Sequence, residues 1–163
     1  MKLFHGSTVS IENPKIIIAE YGRDFGSGFY TTDIKEQAVR WAKRKAAIEI
    51  NQGRNSKAII SIYDFDEANY DKLNVKVFSE PSLDWLNMVC ACRSGIGYKH
   101  GYDIVEGKIA NDNVGETVSF VVAGIMRKED ALERLKFEKI NNQICFNTDK
   151  ALSFLNYAGF EEA

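Results

Sequence analysis

Short runs of apolar, β-branched and aromatic residues recur along this chain from its first residues almost to its last, and one long stretch with helical periodicity interrupts them. Met1–Phe4, Lys15–Ala19, Ser27–Thr32, Lys57–Asp64, Val75–Phe78, Tyr102–Val105 and Gln143–Phe146 all read as strands. Between the third and fourth, Asp33 with Glu36 forms a capping-box pattern, and Ile34, Ala38, Trp41, Ala42 and Ile48 follow at helical spacing as far as Asn51–Gly53. Strands that return after helices predict a mixed α+β fold.

Further helices are predicted at Ser82–Cys92, with Leu83, Leu86, Val89 and Cys90 on one face, at Lys128–Leu135, and at Thr148–Ala158, capped by Thr148 and closed by Gly159. Thr117–Ile125 fits both periods; its face of Val118, Val121, Val122 and Ile125 is read as helical. No repeat or Pro/Gly/Ser linker divides the 163 residues, so one domain, 1–163, is expected, and 45% hydrophobic content is enough for a core. Disorder and a disulfide-stapled miniprotein are both disfavoured.

Lys plus Arg total 21 against 23 Asp plus Glu, a net charge of −2, which argues against a constitutive polyanion-binding surface. Cys90, Cys92 and Cys145 are an odd set without metal-ligand spacing and read as free thiols of a reducing compartment. The first residues carry no apolar signal segment, and no run approaches the length of a membrane helix, so a soluble cytoplasmic protein is expected. There is no P-loop, HExxH or GxSxG, and the glycines of Gly26-Ser27-Gly28 do not make a GxGxxG fingerprint.

Two segments invite a chemical reading. His5-Gly6-Ser7 ends an apolar strand, where a residue without Cβ lets a ligand approach the backbone while imidazole and hydroxyl supply hydrogen bonds. Alone, such a histidine is more often structural. In Asp24-Phe25-Gly26-Ser27-Gly28-Phe29-Tyr30-Thr31-Thr32 a glycine-rich turn leads into a strand whose adjacent rings point to opposite faces. Phe29 is then the core residue, and Tyr30 is either free to stack on a planar ligand or a second core ring.

Together, His5-Gly6-Ser7, Gly28-Phe29-Tyr30-Thr31-Thr32-Asp33, Ala38 and Trp41 resemble the first two motifs of ADP-ribosyltransferases of the diphtheria toxin and poly-ADP-ribose polymerase class, the H-Y-E class. The resemblance implies split, mixed β-sheets with helices around a cleft for NAD, which is consumed as a substrate without a metal. It implies that His5 binds a ribose hydroxyl, that the Gly6 backbone holds the nicotinamide carboxamide, and that Tyr30 stacks on the nicotinamide ring. Trp41, eleven residues on, would close the other side of the ring, or else serve as a core anchor. Ser7, Phe25, Gly28 and Thr31 complete the residues expected to touch NAD, with Arg23 at its diphosphate.

The third motif of that class places a glutamate at the start of a late strand; by position this chain has Gln143 there. An amide can hydrogen-bond the 2′-hydroxyl but supplies no negative charge to a developing oxocarbenium, so Glu138, Asp103 or Asp112 would have to provide that field, or the rate is modest, or catalysis is lost. Asn141, two residues earlier, falls where related enzymes carry a target-recognising residue.

The chain as a whole is similar to an uncharacterised bacterial family of this fold, through Asp84-Trp85-Leu86, Tyr102-Asp103-Ile104-Val105, Ala110-Asn111-Asp112-Asn113 and Asn142-Gln143-Ile144-Cys145-Phe146. Some members lie beside small partner genes in toxin–antitoxin-like arrangements, which implies a macromolecular target and a small antitoxin-like partner. Lys43-Arg44-Lys45 with Arg54 reads as a solvated helix face or as a phosphate contact. His100 reads as a surface residue. A non-catalytic NAD-binding or protein-interaction module is the competing function, and RNA 2′-phosphate transfer a third.

Overall fold

Two sheets share the strands. The computed structural model describes residues 1–18, 22–95, 98–109, 112–135 and 141–163, with the backbone alone at 108, 109, 112 and 113. The run rich in isoleucine becomes β3 (Ile59–Phe65), the centre of an antiparallel sheet ordered β1 (Lys2–Ser7), β3, β7 (Leu155–Glu162). A second sheet is ordered β2 (Phe29–Thr31), β6 (Asn141–Phe146), β5 (Ile104–Ile109), β4 (Val75–Phe78). Only its β4–β5 pair is parallel, so the first sheet is antiparallel where both were expected to be mixed.

The alternation of side chains decides what each strand buries. Phe29, Ile104, Ile144 and Phe146 face inward between the sheets with Leu3, Tyr63 and Phe65. Their neighbours Tyr30, Val105 and Cys145 face the opposite way, under α2 (Leu83–Ser94), α3 (Asp112–Val122) and α4 (Lys128–Leu135), with Trp85, Val118 and Leu135. A third cluster sets Ala38 and Ala42 of α1 (Lys35–Asn51) on Ile60 and Phe4. Each buried large apolar side chain contributes about 1.5–3 kcal/mol. Because β2 is covered on both faces, neither of its aromatic rings is left outside the core.

The helix at Thr117–Ile125 and the three free, buried cysteines are as expected, although two residues of the expected face, Val122 and Ile125, are exposed and Ile125 lies beyond α3. Several local readings are corrected. Lys15–Ala19 forms no strand over its described part, residues 15–18; Ile17 makes only an isolated bridge to Gly28. Asp33 does not cap α1, whose N-cap is Ile34 without a side-chain bond; the Thr32 hydroxyl takes the Ile34 N–H, and Asp33 accepts from Asn142. The buried face of α1 is Gln37, Ala38, Ala42 and Ala46, and Ile48 is exposed. In α2, capped by Ser82, Trp85 is buried and Leu83 exposed.

The largest correction is at the C-terminus. Thr148 does cap a helix, accepting from Ala151 N at 3.2 Å, but α5 (Asp149–Leu152) is a single turn. The rest of the expected helix is β7, drawn out along the edge of β3 that β1 leaves free, with Gly159 at φ 133° beside a register shift at Ile62/Tyr63 rather than at a helix end.

Candidate functional site

Among the described residues the two sheets are joined by one antiparallel bridge. Phe4 and Thr32 exchange both backbone hydrogen bonds, at 2.8 and 3.0 Å, and β1 and β2 then diverge. Backbone polar groups along a strand alternate sides, so Gly6, two residues on, points its N–H and C=O into the gap opposite Tyr30. The side-chain position of Gly6 is closed, since a Cβ there would lie 2.2 Å from the Ala38 carbonyl and 2.8 Å from Ala42 N. The expectation that the missing Cβ makes room for a ligand is therefore corrected: it makes room for α1, and what Gly6 offers a ligand is its peptide edge. Lys45 Nζ donates to that carbonyl at 2.7 Å.

His5 is buried and stacked on Phe29, ring centroids 4.5 Å apart, with Nδ1 2.6 Å from the Tyr30 carbonyl. A carbonyl only accepts, so Nδ1 carries the proton and Nε2 is left as an acceptor suited to a hydroxyl donor. Burial, then the Lys45 cation, lower the His5 pKa to about 4, which keeps the ring neutral at pH 7. Tyr30 is held at its hydroxyl, which donates to Gly26 O at 2.6 Å and accepts from Phe25 N at 3.1 Å. Burial raises its pKa well above the ordinary tyrosine value, so it stays a phenol. The Arg23 guanidinium lies over the Tyr30 ring, 5.5 Å from its centroid, a cation–π contact.

One row of α1, Gln37, Trp41 and Lys45 at successive turns, crosses this joint. At one end Gln37, 1% exposed, clamps the Asn142 backbone in both directions, Nε2 donating to its carbonyl at 2.9 Å and Oε1 accepting from its N–H at 3.2 Å. At the other end Lys45 holds Gly6. Trp41, half-buried, lies one turn from each. Gln143 shares its face of β6 with Cys145, the cross-strand partner of Tyr30, so the Gln143 and Tyr30 side chains project on the same side. Its Oε1 is buried without a hydrogen-bond partner. Asn141 accepts from Arg40 at 2.9 Å, tying the start of β6 to α1 a second time.

Not every expected contact is presented. The Phe25 ring is fully buried against Phe78, and Thr31 is fully buried with its hydroxyl on Ile144 O at 2.8 Å, so neither side chain faces the joint. Gly28 is required by close packing, since a Cβ there would lie 2.5 Å from Cys145 Sγ. Ser7 is half-buried at the end of β1. Asp103 is withdrawn as a source of charge: its carboxylate accepts from Thr148 and from Asn74 N. It precedes Ile104, which pairs with Phe146 while Gln143 pairs with Gly107, about 13 Å further along the strands. Glu138, the Ala110-Asn111 pair and the side chains of Asp112 and Asn113 lie outside the described residues.

The loop that carries Arg23 is anchored through Asp24, buried and paired with Arg93 of α2. Gly22 packs so closely that a Cβ would lie 2.2 Å from Arg93 Cα. Beyond Arg23 opens a cleft of ≈ 570 Å³ whose walls include Ile18, Tyr98, Lys99, His100 and Asn147. His100, expected at the surface, is half-buried and bonded: Nδ1 accepts from Tyr102 N at 3.1 Å, so Nε2 donates to Phe25 O at 3.1 Å. The three residues that sequence reasoning missed are Gln37, Lys45 as a ligand of Gly6, and Asn147, whose Nδ2 binds the Phe25 and Ser27 carbonyls. A polar residue one helical turn before Trp41 was the available signal for Gln37; the other two depend on contacts across the fold.

The chain is thus a two-sheet α+β domain with a buried histidine, a tyrosine under a cation and a buried glycine whose carbonyl is capped by Lys45 where the sheets part. Over residues 1–157 it matches, and belongs to, the family described as "Protein of unknown function (DUF3990)". Neither a curated protein nor a solved structure matches it. Among the described residues no helix is long and apolar enough to cross a membrane, and no group of His, Cys, Asp and Glu could hold a metal ion.

Proposed function

We propose that this chain is an NAD-dependent mono-ADP-ribosyltransferase of the H-Y-E type, acting on a macromolecular target. The observation that carries the reading is the joint itself, where β1 leaves β2: His5 is bonded to the Tyr30 carbonyl, Lys45 caps the Gly6 carbonyl and Arg23 covers the Tyr30 ring. A face of Tyr30 that already attracts a guanidinium is suited to a pyridinium, and a peptide N–H beside a carbonyl is suited to a carboxamide. Arg23 also lines the ≈ 570 Å³ cleft, which none of His5, Gly6, Tyr30, Trp41 and Gln143 lines; in this reading the rest of the dinucleotide lies there.

In this reading the bond from C1′ of the nicotinamide ribose to the ring nitrogen breaks, its electron pair leaving on neutral nicotinamide. A nucleophile of the target then forms the new bond to C1′ and gives its proton to solvent. His5 Nε2 accepts from a ribose hydroxyl, Tyr30 and Trp41 flank the ring, and Gln143, held through the Gln37 clamp on Asn142, takes the 2′-hydroxyl. Gln143 brings no charge to the developing cation, which limits the rate.

A binding module without catalysis is the second reading, favoured by that neutral residue. Nicotinamide release from NAD by the purified protein separates the two. Release that Tyr30→Ala and Gln143→Ala abolish and Gln143→Glu raises supports the enzyme; NAD binding without release supports the module, and neither binding nor release refutes both.

A further inference from the structure

Two cations lie in the joint, and no carboxylate is among the contacts of either within the described residues. Lys45 donates to the Gly6 carbonyl at 2.7 Å, and Arg23 lies 5.5 Å over the Tyr30 ring. Burial and the Arg23 charge lower the Lys45 pKa to about 8. Both cations are solvent-exposed, so with no carboxylate bound to them among the described residues they are open to an anionic group from solution. Their present contacts are also telling, because a carbonyl acceptor and an aromatic face are what a carboxamide and a pyridinium would occupy. Resting on the reading above, we propose that in the free protein Lys45 and Arg23 stand in for the ligand's carboxamide and pyridinium and turn onto its diphosphate when it binds, so that the joint selects the intact dinucleotide over nicotinamide.

The physical consequence is an exchange. Nicotinamide alone must displace both cations and offers them nothing in return. NAD displaces them and supplies two negative charges; ADP-ribose supplies the charges without contesting the joint. Removing either cation should therefore move the ligand halves in opposite directions, which loss of structure cannot do.

The test is calorimetric titration of nicotinamide, ADP-ribose and NAD into the wild-type protein and into Lys45→Met, Lys45→Gln and Arg23→Gln, with thermal melts to confirm folding. Expected are a three- to tenfold gain in nicotinamide affinity and a loss of about tenfold for ADP-ribose in each variant. If NAD binds the wild type but nicotinamide affinity is unchanged or weaker in all three variants, the stand-in role is overturned and the reading of the site survives. If none of the three ligands binds any of the four proteins, the reading of the site falls and takes this proposal with it.

Discussion

Arg93→Met removes the cation from a buried carboxylate and should cost more than any surface change. Two guanidinium nitrogens of Arg93 converge on Asp24 Oδ1, and the carboxylate side chain is 9% exposed against 25% for its partner. Deleting one member of a buried pair costs about 3–5 kcal/mol because the remaining charge stays desolvated; the partial exposure of Arg93 argues for the lower end, about 3 kcal/mol. In a chain of this size 1 kcal/mol shifts Tm by about 2–4 °C, so a drop on the order of 10 °C is expected at pH 7. The sign of the pH dependence follows from the Asp24 pKa, which burial raises and Arg93 pulls back down. A carboxyl whose folded pKa lies above its unfolded value favours the folded state at low pH and loses that advantage as pH rises through the folded pKa. Without Arg93 the pKa rises further, so the deficit of the variant should shrink as pH falls toward the ordinary carboxylate range, where Asp24 is neutral. Urea denaturation of wild type, Arg93→Met, Asp24→Asn and the double variant at pH 7 and pH 4.5 measures this. A deficit as large at pH 4.5 as at pH 7, or a double variant no more stable than Arg93→Met, would refute the reasoning.

Two further outcomes are expected. Gly6→Ala should destabilise by at least 1–3 kcal/mol, since its Cβ would meet the Ala38 carbonyl at 2.2 Å and α1 must shift; an unchanged urea midpoint would show that the helix yields freely. His5, with its pKa lowered to about 4, should give an NMR imidazole signal that stays flat from pH 8 to about 5.5. Because its folded pKa lies below 6.5, it withdraws stability as pH falls from about 6.5 toward 4, roughly 3 kcal/mol in all, and a His5→Gln variant lacking that slope checks the assignment.

Local periodicity determined much of this molecule before any contact was considered. The segments that became β3, β4, α1 and α4, and the Thr148 cap, could be read from neighbours in sequence, because the forces that shape them act within a few residues. So could the approach of His5, Gly6 and Tyr30 to one place, through a motif resemblance. The fate of Leu155–Glu162 could not: the free edge of β3, about ninety residues away in sequence, draws it into a strand. The same holds for Asp33, taken from its expected cap by Asn142, and for Tyr30, which is buried because helices from the second half of the chain cover its sheet. Gln37 on Asn142, Lys45 on Gly6 and Arg23 over Tyr30 are decided only by tertiary structure, because each joins groups whose distance is set by how α1, the Arg23 loop and the two sheets pack.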